Sequence, residues 1–158
     1  MNGGVLYAGT VGEELVALES ATGDVIWRAR LDGWVWSHPQ FSADAIFVAD
    51  QEGYVYSLKP ATGEVNWRIQ PDSEKDRGII SNPVLVGDTL YFASEAGVLY
   101  AVDAAKGSTR WSKTIGGRIY SDLHQTGDLI VFAANELDTL VLGLDLQGNN
   151  RWSFIPAK

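Results

Sequence analysis

Chemically reactive side chains are scarce in this 158-residue chain. It contains no cysteine, which excludes thiol nucleophiles, Cys-based zinc sites and disulfides. The two histidines, His38 and His124, lie at non-equivalent positions of the sequence repeat described below, which argues against a shared metal ion. No Ser/His/Asp arrangement, GxGxxG, P-loop or HExxH motif occurs. The sequence therefore predicts no catalytic residue, no metal site and no cofactor.

Three segments that join the repeats carry the residue types that anchor protein interfaces. Aligned on Ser37, Ser81 and Ser121, they read Gly33-Trp34-Val35-Trp36, Arg77-Gly78-Ile79-Ile80 and Gly117-Arg118-Ile119-Tyr120. Periodic packing does not require Trp34, whereas Trp36 matches the apolar Ile80 and Tyr120, so Trp34 is the better binding candidate. We predict a partner-binding patch made of Trp34, Trp36, Arg77, Arg118 and Tyr120. In the alternative interpretation, these side chains only cap the mouth of a channel.

Composition narrows the class of protein. Twelve Lys and Arg against twenty Asp and Glu leave a formal charge of −8, which disfavours binding to a phosphate backbone. With 46% apolar and 20% charged residues the chain is expected to fold. No apolar run approaches the ~20 residues that a membrane-spanning helix needs. We expect a protein partner, with no binding to nucleic acid and no insertion into a membrane.

A repeat of about 40 residues dominates the sequence. Its clearest marker is a tryptophan preceded by glycine four residues earlier, and the spacings between these tryptophans are 40, 44 and 41 residues. The four pairs are Gly23 and Trp27, Gly63 and Trp67, Gly107 and Trp111, and Gly148 and Trp152. We assign the whole chain, residues 1–158, to one domain with repeats of approximately 1–32, 33–76, 77–116 and 117–158, the first lacking its innermost strand.

Each repeat predicts four short strands, as in a blade of a β-propeller. The second strand of a unit is apolar at consecutive positions, so both of its faces should be covered by neighbouring blades. The fourth strand alternates: Val65, Trp67 and Ile69 should lie on one side and the intervening polar residues on the other. The predicted fold is all-β, with three complete four-stranded antiparallel blades and one three-stranded blade.

The repeated glycine and tryptophan have structural explanations. A short hairpin loop favours a residue at positive φ before the returning strand, and glycine adopts it without a Cβ clash. Tryptophan buries a large area and carries one N–H donor, so we interpret all four as wedges between blades. An arc of four such blades would leave two faces open. It could close on itself, pair with a second copy into an eight-bladed ring, or be part of a longer propeller.

The segments Ala17 to Trp27 and Ala101 to Trp111 resemble the pyrroloquinoline quinone (PQQ)-like repeat, A-x-D-x-x-T/K-G-x-x-x-W. Glu19 and Lys59 replace the usual aspartate in two copies. The resemblance covers essentially the whole chain and implies a seven- or eight-bladed propeller with tryptophans docked between blades. The family includes quinoprotein dehydrogenases and a non-catalytic, BamB-like branch.

The resemblance implies different functions for its two branches. Quinoprotein dehydrogenases carry a vicinal cysteine pair over the quinone and a calcium ion held by carboxylates. Cysteine is absent and no paired carboxylate cluster is evident here, which favours the BamB-like branch. That branch implies a non-enzymatic scaffold for protein interactions in outer-membrane protein assembly, outside the cytoplasm. The alternatives are a fragment of a PQQ-dependent dehydrogenase and a carbohydrate-binding propeller that uses Trp34 and Trp36.

Overall fold

The computed structural model describes residues 3–71, 78–135 and 141–155, and these residues form strands and turns without a helix. Fifteen strands are present in the described residues, the number that the repeat predicts. They are β1 (Val5–Gly9), β2 (Glu14–Glu19), β3 (Val25–Arg30), β4 (Gln40–Phe41), β5 (Ile46–Ala49), β6 (Val55–Leu58), β7 (Val65–Ile69), β8 (Val84–Val86), β9 (Thr89–Ala93), β10 (Val98–Asp103), β11 (Thr109–Thr114), β12 (His124–Thr126), β13 (Leu129–Ala133), β14 (Val141–Asp145) and β15 (Asn150–Phe154).

The strands form four antiparallel sheets in chain order, here called blades 1 to 4. Blade 1 contains β1 to β3, blade 2 contains β4 to β7, blade 3 contains β8 to β11 and blade 4 contains β12 to β15. Within a blade every strand pairs with the next one along the chain. The all-β architecture of four-stranded propeller blades is thereby confirmed.

Apolar clusters between successive blades hold the four blades in an arc. Three such clusters lie in the described residues, one at each boundary between blades, and none of them joins blade 1 to blade 4. The second strands β5 and β9 are buried along their whole length because both of their faces are covered. In β13, buried and half-buried residues alternate, because only the face toward blade 3 is covered. The arc therefore has an uncovered face at each end.

The predicted alternation of the fourth strand is wrong at its beginning. In every blade a β-bulge precedes the tryptophan, so that two residues of the outer strand face one residue of its neighbour. In blade 2, Trp67 faces Ser57 and Val65 faces Leu58, which leaves Asn66 as the extra residue. Val65 is consequently exposed instead of sharing the environment of Trp67. A strictly alternating pattern of buried and exposed residues cannot predict this inserted residue.

At each internal boundary, the tryptophan of one blade contacts the hairpin turn of the next. Its indole N–H donates a hydrogen bond to a backbone carbonyl of that turn. The bonds run from Trp27 to Pro60 (2.9 Å), from Trp67 to Ala104 (3.0 Å) and from Trp111 to Leu146 (3.2 Å). We call this arrangement, a tryptophan from one blade on the glycine turn of the next, the Trp–Gly joint.

The glycine of the joint is required for two separate reasons. Gly107 has φ of +72°, a left-handed conformation that a Cβ disfavours. The space a Cβ would need is also filled, since it would lie 2.8 Å from Cδ2 of Trp67. Gly63 and Gly148 meet Trp27 and Trp111 in the same way. The turn thus supplies both the bend of its own hairpin and the flat surface for the neighbouring indole.

Trp152 differs from the other three tryptophans and does not form a wedge between described blades. It is 42% exposed, and its indole lies over Gly143 of its own blade, where a Cβ would meet the ring at 2.4 Å. The equivalent partners of the other tryptophans are Ala17, Ser57 and Ala101. Within residues 3–71, 78–135 and 141–155, no hairpin turn of another blade lies under this indole.

Candidate partner-binding surface

The three joining segments lie along one rim of the arc, next to the turns between the second and third strands. In the first segment, Val35 N–H donates to the Thr10 carbonyl of blade 1 (3.2 Å), and the Trp34 carbonyl accepts from Gln51 N–H of blade 2 (2.9 Å). The third segment pairs through two hydrogen bonds between Arg118 and Asn135. Backbone bonds to neighbouring blades therefore hold these segments in place.

Side chains in the first joining segment alternate between buried and exposed. Val35, Ile79 and Ile119 are buried at the middle of their segments. On either side of Val35 the large aromatics point outward, with Trp34 44% exposed and Trp36 61% exposed. Tyr120, two blade boundaries away on the same rim, is 44% exposed. The position shared by Trp36, Ile80 and Tyr120 is thus exposed in the first and third segments and half-buried in the second. Trp36 is more exposed than Trp34, and which of the two contacts a partner stays a prediction.

Of the two predicted arginines of the patch, the structure describes only Arg118. Arg118 is half-buried and lies on the same segment as Tyr120. Arg77 lies outside the described residues. Val11, which the sequence analysis missed, is 69% exposed in the turn between β1 and β2 on this rim. An apolar residue between Thr10 and Gly12 in a tight turn, where burial is impossible, is the signal that could have identified it.

A polar cluster braces the residues directly before Trp34. The Tyr56 hydroxyl lies 2.6 Å from a carboxylate oxygen of Asp32 and 2.8 Å from one of Asp50, and it also accepts a hydrogen bond from Asp32 N–H (2.9 Å). Arg68 forms an ion pair with Asp32 at 2.7 Å and stacks over the Tyr54 ring at 4.8 Å. The cluster ties the first joining segment to blade 2.

Asp50 is the unusual titrating group of this cluster. Its side chain is buried, and burial raises its pKa although Tyr54 N–H and the Tyr56 hydroxyl stabilise the ionised form. One hydroxyl proton can serve only one carboxylate, and a protonated Asp50 can donate to Tyr56 while Tyr56 donates to Asp32. The carboxyl group of Asp50 therefore stays protonated to a higher pH in the folded protein than in the unfolded chain. The contribution of Asp50 to stability is complete below its unfolded pKa and declines as pH rises through the raised folded pKa.

No local sequence pattern marks this cluster, because its members are separated by 6 to 36 residues and meet only after the blades form. A departure from the repeat could have revealed it. Asp50 follows the second strand of blade 2, where the later units have Ser94 and Ala134. A carboxylate at one copy of a repeated buried position indicates a local network.

A second polar arrangement lies just before the innermost strands β4, β8 and β12. Asn82 Oδ1 accepts from His38 N–H, and Asp122 Oδ1 accepts from Asn82 N–H at 3.0 Å. The neighbouring serines bridge within each blade, with the Ser37 hydroxyl donating to the Ala49 carbonyl (3.0 Å) and accepting from Ala49 N–H (3.1 Å). His38 therefore has a structural role in a ladder that links successive blades.

No group of three or more His, Asp or Glu side chains that could hold a metal ion occurs in residues 3–71, 78–135 and 141–155. The chain contains no cysteine to form the pair that quinoprotein dehydrogenases place over the quinone. In the same described ranges no helix is long and apolar enough to cross a membrane.

Comparison with known proteins gives one family and several similar structures. The family model described as outer membrane protein assembly factor BamB matches residues 1–84 and 51–156. No curated protein matches the chain. BamB from Moraxella catarrhalis is 17% identical, with a TM-score of 0.67 over 99% of this chain and 62% of that one.

Two further structures share the fold. Quinohemoprotein alcohol dehydrogenase from Comamonas testosteroni is 14% identical, with a TM-score of 0.81 over 96% of this chain and 33% of that one. The computationally designed Ika8 protein is also 14% identical, with a TM-score of 0.80 over 98% of this chain and 47% of that one. The chain thus spans less than two thirds of each of the three structures.

Proposed function

This chain belongs to the family of the outer membrane protein assembly factor BamB, and from that premise we propose that it is a non-catalytic scaffold for protein interactions. As such a scaffold, it takes part in the assembly of outer-membrane proteins and is located outside the cytoplasm. The joining-segment rim, with Trp34, Trp36, Tyr120 and Arg118, is the surface that receives the partner.

Exposed aromatic side chains on a backbone that is hydrogen-bonded to neighbouring blades are the observation that carries this proposal. Trp34 and Trp36 are separated by the buried Val35, and the backbone on both sides is bonded to neighbouring blades. Aromatic residues presented in this way bind at low entropic cost, because the backbone is already ordered. Tyr120 extends the surface along the rim.

The proposal is tested by placing a photo-crosslinking amino acid at position 36 or 120 in a bacterium with an outer membrane. Asp128 is the matched control, because it is exposed in the turn between β12 and β13 at the opposite ends of the strands. We expect adducts at 36 and 120 with a protein of the outer-membrane assembly machinery, and none at 128. A Trp34→Ser, Trp36→Ser double variant should lose that partner while keeping its urea midpoint.

Other outcomes contradict the proposal. Equal adducts at positions 36 and 128 would indicate random collision. Absence of any protein adduct would overturn the scaffold function. If glycans quench the indole fluorescence of the wild type and fail to do so in the double variant, the rim is a carbohydrate-binding surface, which two exposed indoles on one segment would also suit.

A further inference from the structure

The two ends of the arc carry opposite, unmatched halves of the Trp–Gly joint. Gly63, Gly107 and Gly148 each lie under an indole of the preceding blade. Gly23 has the same left-handed conformation, with φ of +81°, yet no atom lies within 4 Å of the position its Cβ would occupy. Trp152 is 42% exposed, and its indole N–H has no partner among the described residues. Blade 1 thus offers a turn without an indole, and blade 4 offers an indole without a turn.

We propose that a second copy of this chain completes both joints. Trp152 of each copy packs on the Gly23 turn of the other and donates to its Ser20 carbonyl, the position equivalent to Pro60 and Ala104 in the internal joints. Two identical joints related by a twofold axis close the two arcs into one ring of eight blades. In the closed ring every end turn receives an indole and every end indole packs on a turn. In an open chain of copies, the two outermost halves would stay unmatched.

The surfaces around the unmatched halves suit burial. Exposed apolar side chains at the end of blade 4 are Trp152, Phe154 and Ile155. On blade 1, Leu6 and Val25 are exposed, and both pair with Leu18, on the face opposite Trp27. The two end faces therefore carry apolar side chains that a second copy would cover.

The size of the interface is sufficient for a stable dimer. A blade face of four strands at ~4.8 Å by about six residues at ~3.3 Å covers on the order of 400 Å². Each joint pairs one such face of blade 4 with a three-stranded face of blade 1, which covers about 300 Å². Two joints would then bury on the order of 1,300 Å², within the ~1,200–2,000 Å² of a specific interface. Two arcs also match the length of the designed Ika8 chain, of which this arc covers 47%.

The test is the molar mass of the 158-residue chain by light scattering after size-exclusion chromatography, over a tenfold range of protein concentration. We expect a mass twice the 17.2 kDa of one chain, without further growth as concentration rises. Trp152→Ser should give the single-chain mass. Trp36→Ser, an exposed tryptophan on the rim, is the matched control and should leave the dimer intact.

A second pair of variants separates the joint from folding. Gly23→Ala and Gly87→Ala both place a Cβ at positive φ with nothing within 4 Å in the single chain, so their costs to folding should match. Only Gly23→Ala should weaken the dimer, by at least tenfold in dissociation constant, because its Cβ meets the indole of the second copy.

A wild-type chain of single mass overturns the proposal and would assign the missing halves to further blades of a longer protein. A mass that keeps growing with concentration overturns the closed ring. A Trp152→Ser variant that remains dimeric overturns the joint. None of these results bears on the rim, because the joint between copies uses Trp152 and Gly23 and the rim uses Trp34, Trp36 and Tyr120.

Discussion

Replacing Gly107 with alanine should destabilise the protein more than the same replacement at Gly87, because only Gly107 lies under an indole. Both glycines have positive φ, +72° and +60°. A Cβ at Gly87 would have no neighbour within 4 Å, whereas one at Gly107 would lie 2.8 Å from Cδ2 of Trp67 and 3.3 Å from Cγ2 of Ile69. The pair therefore separates the conformational cost of the turn from the steric cost of the joint.

The magnitudes follow from these contacts. A left-handed backbone conformation lowers the free energy of unfolding by about 1–2 kcal/mol for an L-residue. Alanine also reduces the conformational entropy of the unfolded chain, which raises the free energy of unfolding by about 0.4–1 kcal/mol. The net cost at Gly87 is roughly 1 kcal/mol. At Gly107 the indole must also retreat by about 1 Å to reach a normal carbon separation. Overpacking of this kind adds about 1–3 kcal/mol, so we expect an excess of about 2 kcal/mol at Gly107.

Urea denaturation followed by far-ultraviolet circular dichroism measures the two free energies without relying on tryptophan fluorescence. A Trp67→Leu background supplies the control, because removing the indole should abolish the excess cost of Gly107→Ala and leave the cost of Gly87→Ala unchanged. Equal destabilisation by the two alanine variants, or an excess that persists without the indole, would refute the steric reasoning.

Three further predictions concern the polar groups that position the rim. Asp50→Asn keeps a donor toward Tyr56 at every pH, so its urea midpoint relative to wild type should rise as pH increases from about 4 through the raised pKa of Asp50, and parallel pH profiles would contradict this. Tyr56→Phe removes the hydroxyl shared by Asp32 and Asp50 and should cost about 1–3 kcal/mol, measured by urea denaturation with Tyr54→Phe as a nearly neutral control. Ser37→Ala leaves Ala49 N–H without its side-chain acceptor, and hydrogen exchange should accelerate at that amide, while unchanged protection would show that another group replaces the hydroxyl.

The parts of the fold that the sequence predicts are those that repeat. A tryptophan four residues after glycine marks each outer strand, and consecutive apolar residues mark the covered second strands β5 and β9. The bulge at Asn66 was missed because strand pairing, and not side-chain type, creates the extra position. The repeat predicts a wedge at Trp152 because it implies a neighbouring blade on both sides, and no described residue supplies that neighbour beyond blade 4.

The candidate site was only partly predictable, for a related reason. Trp34 and Trp36 attract attention as aromatic residues, but their exposure depends on Val35 pointing inward and on the bonds to Thr10 and Gln51. The Asp50 cluster depends on three elements meeting, and no local pattern encodes such a meeting. Residue types identify the candidates, whereas burial requires the assembled blades.

The Trp–Gly joint and the proposed partner-binding rim lie on separate parts of each blade. The Trp–Gly joint lies between an outer strand and the hairpin turn of the next blade, while the rim lies at the joining segments and the turns between second and third strands. A substitution such as Gly107→Ala should therefore affect stability at the joint, and Trp36→Ser should affect only what the rim binds. Because the first joining segment is bonded to blades 1 and 2 at once, a partner bound there would contact a surface whose shape is set by the angle between these blades. Weakening an internal joint next to the rim should then reduce partner binding as well as stability. A substitution on the rim, such as Trp36→Ser, should reduce partner binding and leave stability unchanged.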